Sequence, residues 1–217
     1  MKKLLAALLT IALLAPISAC ADSTSPAVPA TAQEQNTDIA NVLNNAHTVR
    51  AKQKVFSLGE HWDIYADNEL VATIDGEEFR ILETYTMRDM SGNMLYTSEQ
   101  NLDFNMNMSL NNHIDNRSGS IEQNLMSMMV NLRVYRNGNQ TGELKQNLSL
   151  NKKAVITDMN GAEQYDINAR LMSFGADFTI ENVGNGDAVS MIEAIFATIV
   201  FNKIISQSNN NNSNSSK

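Results

Sequence analysis

Residues 187–205 read DAVSMIEAIFATIVFNKII, and on a helix their apolar side chains would point in almost every direction. Asp187 is a suitable N-cap, and Lys203 lies where a cation complements the C-terminal end of a helix dipole. A helix that is apolar all round is buried either in protein or in lipid. Only nine uncharged residues separate Glu193 from Lys203, which is too few to span a bilayer. The sequence therefore predicts a helix over residues 187–205 that is buried inside the protein.

The residues before this helix have the alternating pattern of β-strands. From Asn101 to Leu110, polar residues alternate strictly with apolar ones, which predicts a strand with one buried face. The stretch from Met126 to Val134 repeats the pattern, and that from Leu144 to Leu150 repeats it more weakly. The twelve methionines lie mainly on such strands and on the helix, so we expect them to fill the core rather than to bind copper.

Turn sequences separate the strands at a regular interval. Four turn motifs, each combining Asp or Asn with Gly, lie at Gly92, Gly138, Gly161 and Gly184, which are 46, 23 and 23 residues apart. The same step continued towards the N-terminus reaches polar stretches around Asp115 and Glu69. A step of 23 residues accommodates two strands of ordinary length with their turns. Six such positions imply up to twelve strands.

Together these features predict a mainly β domain over residues 54–206. We expect a closed antiparallel barrel of about twelve strands, arranged in hairpins around the C-terminal apolar helix 187–205. A barrel of that width would be hollow, and a helix apolar on every side would fill it. Closure would also remove the exposed strand edges through which sheets aggregate.

Three segments carry a resemblance to a known family: Trp62–Tyr65 at the start of a first hairpin, Tyr85–Gly92 as a strand and its turn, and Asp187 at the start of the last helix. From about Phe56 to Ile205 the chain resembles the tubby C-terminal-like fold, and within it the LURP-one-related family. The resemblance implies a closed barrel of about twelve antiparallel strands around a helix. Relatives of this fold include phosphoinositide-binding tubby proteins and phospholipid scramblases. The sequence contains neither a concentrated basic pocket nor a calcium-binding segment, so neither activity carries over by residue.

The first residues predict a secretory signal peptide, residues 1–19. Two lysines precede an apolar run, residues 4–16, that is shorter than the roughly 20 residues a membrane-spanning helix needs. Ile17–Cys20, ISAC, resembles the lipobox of bacterial lipoproteins, which implies cleavage before Cys20 and lipid attachment at that residue, palmitate included. The alternative is an ordinary cleaved signal in which Cys20 is incidental. Because Cys20 is the only cysteine, an acylated protein would have neither a disulfide nor a thiol nucleophile.

The lipoprotein resemblance also implies a place in the bacterial cell envelope. Three acyl chains on Cys20 would hold the protein firmly on a lipid bilayer. Ala21 rather than Asp follows the cysteine, which by the enterobacterial sorting rule favours the outer membrane, facing the periplasm. Residues 20–36 then predict a flexible lipidated tether, residues 37–53 a short amphipathic helix and link, and residues 207–217 a disordered Asn/Ser tail.

The charge of the chain excludes one class of partner. It has 16 basic and 24 acidic residues, a net charge of −8, and loss of the two lysines in the signal peptide makes this −10. An acidic protein repels phosphate backbones, so we expect no nucleic-acid binding.

The sequence offers no motif for catalysis, a cofactor or a metal. His47, His61 and His113 have no metal-binding spacing. Glu60, His61 and Asp63 could form an acid–base cluster, but three polar residues at a strand entrance are ordinary, so we expect no catalytic residue. Two classes of function remain. One is a membrane-anchored, non-enzymatic binding or structural module with an unknown protein or lipid ligand. The other is a lipid-binding or lipid-handling protein related to tubby and scramblase folds, which an apolar cleft open to solvent would favour.

Overall fold

The computed structural model describes residues 30–55, 59–77, 82–101, 106–147, 153–169, 175–184 and 188–214, with side chains between 38 and 208. These residues form two helices and twelve strands. In chain order they are α1 (Ala30–Asn45), β1 (Thr48–Gln53), β2 (His61–Ala66), β3 (Glu69–Glu77), β4 (Thr84–Asp89), β5 (Met94–Gln100), β6 (Met108–Asn112), β7 (Ser118–Gln123), β8 (Asn131–Arg136), β9 (Asn139–Gln146), β10 (Ala154–Asp158), β11 (Glu163–Ala169), β12 (Asp177–Asn182) and α2 (Met191–Asn214).

The twelve strands form one closed antiparallel barrel, which confirms the predicted architecture. Each strand pairs with its neighbours in the chain, and β1 closes the ring by pairing with both β2 and β12. Across the closing seam Ala51 lies opposite Phe178 on β12 and Ile64 on β2, and all three side chains are buried. The seam is therefore packed like the rest of the barrel wall.

Five of the six positions in the 23-residue repeat are hairpin turns at one end of the barrel, which we call the turn end. They join β2 to β3, β4 to β5, β6 to β7, β8 to β9 and β10 to β11. The tightest turns use residues with positive φ: Asp67 (45°) with Asn68 (77°), and Asn137 (51°) with Gly138 (76°). Two consecutive positive φ angles match the twist of a hairpin, and Asn, Asp and Gly tolerate them best. The sixth position, Gly184, instead follows the last strand.

Helix α2 fills the barrel, as predicted. Every side chain from Met191 to Phe201 is buried, and the helix runs from the turn end towards the opposite end, where Lys203 contacts Glu83. Gly142 on β9 leaves room for the approach to this helix, since a Cβ there would lie 2.5 Å from a methyl carbon of Val189. No helix among the described residues is long and apolar enough to cross a membrane.

The ends of α2 differ from the prediction. Asp187 lies outside the described residues, and the N-cap is Ser190. Its Oγ accepts a hydrogen bond from the Glu193 N–H (3.3 Å), while a Glu193 carboxylate oxygen accepts one from the Ser190 N–H (2.8 Å). This is a reciprocal capping box. The helix also continues to Asn214, so the prediction of a disordered tail over residues 207–217 is wrong for residues 207–214. An established helix propagates at low cost, even into a polar sequence.

The N-terminal boundaries also need correction. Helix α1 begins at Ala30, inside the predicted tether 20–36, and ends at Asn45. The remainder of the predicted helix and link, residues 37–53, contains strand β1, which belongs to the barrel. The sequence prediction extended the helical spacing of apolar residues too far along the chain. In the structure Val49 and Ala51 are buried with the alternation of a strand. Residues 1–29, including the predicted signal peptide and Cys20, lie outside the described residues.

The sequence predicted a strand from Met126 to Val134, and the start of that prediction is wrong. Strand β8 begins at Asn131, and the Met126 and Met128 side chains are 95% and 105% exposed. The Asn124 side chain accepts the N–H of Met126 (3.3 Å), which turns the backbone out of the strand ladder. We call residues 124–130 the methionine loop. Its methionines do not fill the core, although Met87, Met108 and Met191 do.

A strand was also predicted over the other long alternating stretch, Asn101 to Leu110, and the strand in the structure covers less of it. Strand β5 ends at Gln100 and β6 begins at Met108, with residues 102–105 outside the described residues. Within the described part, Met106, Met108 and Leu110 are buried, so the predicted inward face is confirmed there.

Candidate binding site

A cavity of about 570 Å³ lies at the turn end, between α1 and the turns of the neighbouring strands. Ligand pockets commonly have volumes of about 300–1,000 Å³. Most of its walls are polar or charged. The residues that line it are Ala40, Asn41, Asn44, Asn45, Tyr96, Leu110, Asn112, Ile114, Asp115, Arg117, Ser118, Gly119, Arg136, Ser190 and Glu193.

An ion pair between the barrel and the central helix forms part of the cavity wall. Arg136, the last residue of β8, donates from Nε to Glu193 Oε1 (2.9 Å) and from Nη2 to Oε2 (2.5 Å). Glu193 lies in the first turn of α2 and is only 5% exposed. The hydrogen bonds to Glu193 raise the pKa of the Arg136 guanidinium, although burial opposes this. The guanidinium therefore stays charged, and its two hydrogen bonds to Glu193 fix both side chains in one geometry.

Tyr96 supplies a hydroxyl to the wall of the cavity. The side chain is only 9% exposed, and its ring centroid lies 6.3 Å from that of Phe196 on α2. No hydrogen bond to its hydroxyl is present within the described residues. Burial raises the pKa of the Tyr96 phenol, and the nearby Glu193 carboxylate raises it further, so the hydroxyl keeps its proton. A hydroxyl on a cavity wall without a partner among the described residues can donate to a ligand.

A second ion pair lies at the rim of the cavity, in the turn between β6 and β7. Arg117 donates from Nε to Asp115 Oδ2 (2.7 Å), and its backbone N–H donates to Asp115 Oδ1 (3.2 Å). Asn112 precedes this turn, and its Oδ1 accepts the N–H of Ile114 (2.8 Å). These local bonds give the rim a defined shape. With Arg136 and Glu193, the cavity contains two positive and two negative side chains.

Helix α1 forms the wall opposite the barrel. Leu43 and Ala46 are buried and hold the helix against the turn end, while Ala40 and Asn44 line the cavity. The Asn44 Oδ1 accepts the N–H of Met191 (2.9 Å), one of the free donors at the start of α2. The two helices and the barrel thus bound a cavity that is open to solvent on one side.

The sequence suggested a cluster of Glu60, His61 and Asp63. In the structure, Glu60 has different neighbours from the other two residues. Tyr85 donates a hydrogen bond to Glu60 (2.8 Å), at the end of the barrel opposite the turn end. His61 instead pairs with Asp75 on β3, and its other ring nitrogen lies 3.5 Å from Asp63 Oδ1. The three residues do not converge on one point. The geometry therefore provides no acid–base site of the kind considered from the sequence.

The remaining sequence candidates are dispersed. His113 contacts Thr97 (3.0 Å), and His47 is exposed between α1 and β1. Within the described ranges, no three side chains of His, Cys, Asp or Glu are grouped to hold a metal ion. Cys20 lies outside those ranges, and its lipid attachment stays a prediction.

The residues of the cavity were not identified from the sequence. They come from α1, four strands or their turns, and the start of α2, and closure of the barrel brings them together. One local signal was present: Ser190 followed three residues later by Glu193 has the spacing of a capping box. That signal would have placed Glu193 at the start of α2 but not opposite Arg136.

Comparison with known proteins gives limited information. No model of a known protein family matches the chain, and no curated protein matches it. The structure is similar to the X-ray structure of a protein from Arabidopsis thaliana, with 11% sequence identity and a TM-score of 0.46. The similarity covers 76% of this chain and 97% of the plant protein. A likeness of this degree assigns the chain neither a family nor an activity.

Proposed function

We propose that the protein is a lipid-anchored lipoprotein of the bacterial cell envelope that acts as a non-enzymatic binding module. Its ligand occupies the cavity at the turn end. The observation that carries the proposal is Tyr96, which lines the cavity and whose hydroxyl makes no hydrogen bond among the described residues. A ligand that accepts a hydrogen bond there would give this donor a partner.

The lining of the cavity distinguishes this proposal from lipid handling. Leu110, Ile114 and Ala40 provide some apolar surface, but the other lining residues are mostly polar or charged. A site for acyl chains would be expected to have predominantly apolar walls. The polar lining therefore favours binding of a polar ligand over the alternative of a lipid-handling protein.

The proposed anchor would be joined to α1, the helix that forms one wall of the cavity. Lipid attachment at Cys20 would place the bilayer ten residues from Ala30, where α1 begins. A chain of that length spans at most about 35 Å when fully extended. Since α1 also forms a cavity wall, the site would face the membrane surface, which we place at the periplasmic side of the outer membrane.

We assign the barrel to the tubby C-terminal-like fold, LURP-one-related branch, on the sequence motifs and the closed barrel with its C-terminal helix.

The anchor is tested by mass spectrometry of the native protein after gentle detergent extraction, together with fractionation of a Cys20→Ala variant. We expect a triacylated N-terminal cysteine in the native protein, and a soluble or unprocessed variant. Membrane retention of the variant with unchanged metabolic acyl labelling would contradict the lipoprotein assignment. The same mass spectra also report any co-purifying ligand.

The cavity is tested by filling it. Ala40→Phe places a ring on the cavity wall, whereas Val42→Phe places one on an exposed position of the same helix. We expect a co-purifying ligand to be lost from the Ala40→Phe protein and retained by the Val42→Phe control. Equal retention by both variants would show that the ligand binds elsewhere.

A further inference from the structure

We propose that the cavity binds a small organic acid through its carboxylate group. This inference rests on the proposed function, because it takes the cavity to be a ligand site. It adds the chemical class of the ligand. The argument depends on which hydrogen-bonding atoms of the lining residues already have partners.

Most acceptor groups of the lining are engaged within the protein. Both Glu193 oxygens accept from Arg136, and both Asp115 oxygens accept from Arg117. The side-chain oxygens of Asn44 and Asn112 accept backbone N–H groups at 2.9 and 2.8 Å. The side-chain oxygens of Asn41, Asn45 and Ser118 remain as acceptors on exposed residues. The strongest acceptors of the lining, the two carboxylates, are therefore already paired with arginines.

Several donor groups of the same residues have no partner within the described residues. Because their oxygens accept backbone N–H groups, Asn44 and Asn112 each leave an NH₂ group available. Ser190 accepts through Oγ and retains its own hydroxyl hydrogen. The Tyr96 hydroxyl makes no hydrogen bond among the described residues and lines the cavity. These donors fit a ligand with oxygen acceptors.

Arg136 presents the strongest of these donors. A guanidinium group has five N–H bonds and can hold a carboxylate along either of two edges. Glu193 occupies the edge formed by Nε and Nη2. The edge formed by Nη1 and Nη2 is the one that remains for a second carboxylate. Nη1 of Arg136 makes no hydrogen bond among the described residues, so it can donate one to a ligand.

The charge of the site disfavours a ligand with two negative charges. The two arginines are balanced by Glu193 and Asp115, and the chain as a whole has a net charge of −8. A dianion such as a phosphate ester would meet more repulsion in these surroundings than a carboxylate. Leu110 and Ile114 provide an apolar surface for a short hydrocarbon body. These features together describe a small monocarboxylic acid.

The experiment compares two probes of nearly equal shape, 4-methylpentanoate and its neutral amide, 4-methylpentanamide. Binding to the full chain in detergent is measured by isothermal titration calorimetry, with inorganic phosphate as a third probe. We expect the acid to bind at least about tenfold more tightly than the amide, since hydrogen bonds to charged groups are the stronger ones.

Two variants and one control locate the binding. Tyr96→Phe removes only the hydroxyl, and Arg136→Lys keeps a positive charge beside Glu193 but removes the second guanidinium edge. Each should weaken binding of the acid by about tenfold. Arg50→Lys is the matched control, because Arg50 pairs with Asp177 through Nε (2.8 Å) and Nη2 (2.6 Å) in the same way, outside the cavity. It should leave binding unchanged.

The outcomes separate the two proposals. If the amide binds as well as the acid and Tyr96→Phe weakens both, the carboxylate inference is overturned and the cavity remains a ligand site. Tighter binding of phosphate than of the acid overturns the carboxylate inference in the same way. If none of the probes binds to a protein whose circular dichroism shows it folded, the carboxylate inference is overturned, and retention of a co-purifying ligand by Ala40→Phe and Val42→Phe decides the ligand site separately.

Discussion

The side chain of Asn44 accepts a hydrogen bond from the backbone N–H of Met191, 147 residues later in the chain (2.9 Å). This bond joins the helix that covers the turn end to the helix that fills the barrel. The first N–H groups of a helix have no partner within the helix, so a side chain from elsewhere can satisfy one of them. The wall of the cavity and the core of the barrel are therefore held together directly.

The first prediction tests this bond. Asn44→Ala leaves the Met191 N–H without its partner and should lower the free energy of unfolding by about 1 kcal/mol. For a domain of this size that corresponds to a fall in Tm of roughly 2–4 °C. Asn45→Ala is the control, since its side chain is exposed and bonds only to the Asn41 carbonyl within its own helix. Equal effects of the two variants in urea unfolding would contradict the bridging role.

The second prediction concerns alkaline pH. The Tyr96 pKa is raised above its ordinary value of 10.0, chiefly by burial, so the folded state favours the protonated phenol. This contribution to stability is complete below pH 10 and is lost as the pH rises above it, because the unfolded chain then ionises first. Stability should therefore fall less steeply above pH 10 in Tyr96→Phe than in the unchanged protein. Urea unfolding at pH 9 and pH 11 measures the difference, and identical slopes would contradict the burial of the Tyr96 side chain.

The third prediction tests the methionine loop. Hydrogen peroxide transfers one oxygen to a thioether, giving methionine sulfoxide and water, and exposed methionines react first. Met126 and Met128 are 95% and 105% exposed, whereas Met87 and Met191 are fully buried. Peptide mass spectrometry over a time course should show oxidation at the first pair well before the second. Oxidation of all four at the same rate would mean that the loop packs or that the core opens.

The sequence predicted the barrel because its strongest signals are local. A pair such as Asn137–Gly138 specifies a tight turn by its own backbone preferences, whatever the rest of the chain does. The 23-residue interval then follows from strands of similar length. Alternation was less reliable, since Met126 and Met128 alternate with polar residues without being buried. A period of two shows which side chains share a face, but burial depends on what lies against that face.

The cavity could not be predicted in the same way. Arg136 and Glu193 are 57 residues apart and meet only because the helix passes through the barrel. Tyr96 reaches the same wall from β5. Such convergence depends on the closed topology and on where the helix begins. Ser190 and Glu193 specified that start through their capping box, whereas the prediction placed it at Asp187.

The last prediction tests the central helix itself. Ile195 is fully buried and Ile199 is 2% exposed, both on α2 inside the barrel. Replacing either with Asp would bury a charge without a partner and should cost several kcal/mol, a large part of the stability of an ordinary domain. Ser206→Asp, at an exposed position on the same helix, is the control and should leave the protein folded.

Circular dichroism and gel filtration of these variants, made in the Cys20→Ala background to remove the proposed anchor, distinguish two models. If α2 is the core of the barrel, Ile195→Asp and Ile199→Asp lose their strand signal or aggregate, while Ser206→Asp retains its structure. If the segment instead lies on a membrane surface, the aspartates weaken vesicle binding and leave the barrel folded. A folded, strand-rich Ile195→Asp protein would contradict the buried helix, because Ile195 belongs to the continuous buried stretch of α2, Met191 to Phe201, that packs with the inward side chains of the strands in one core.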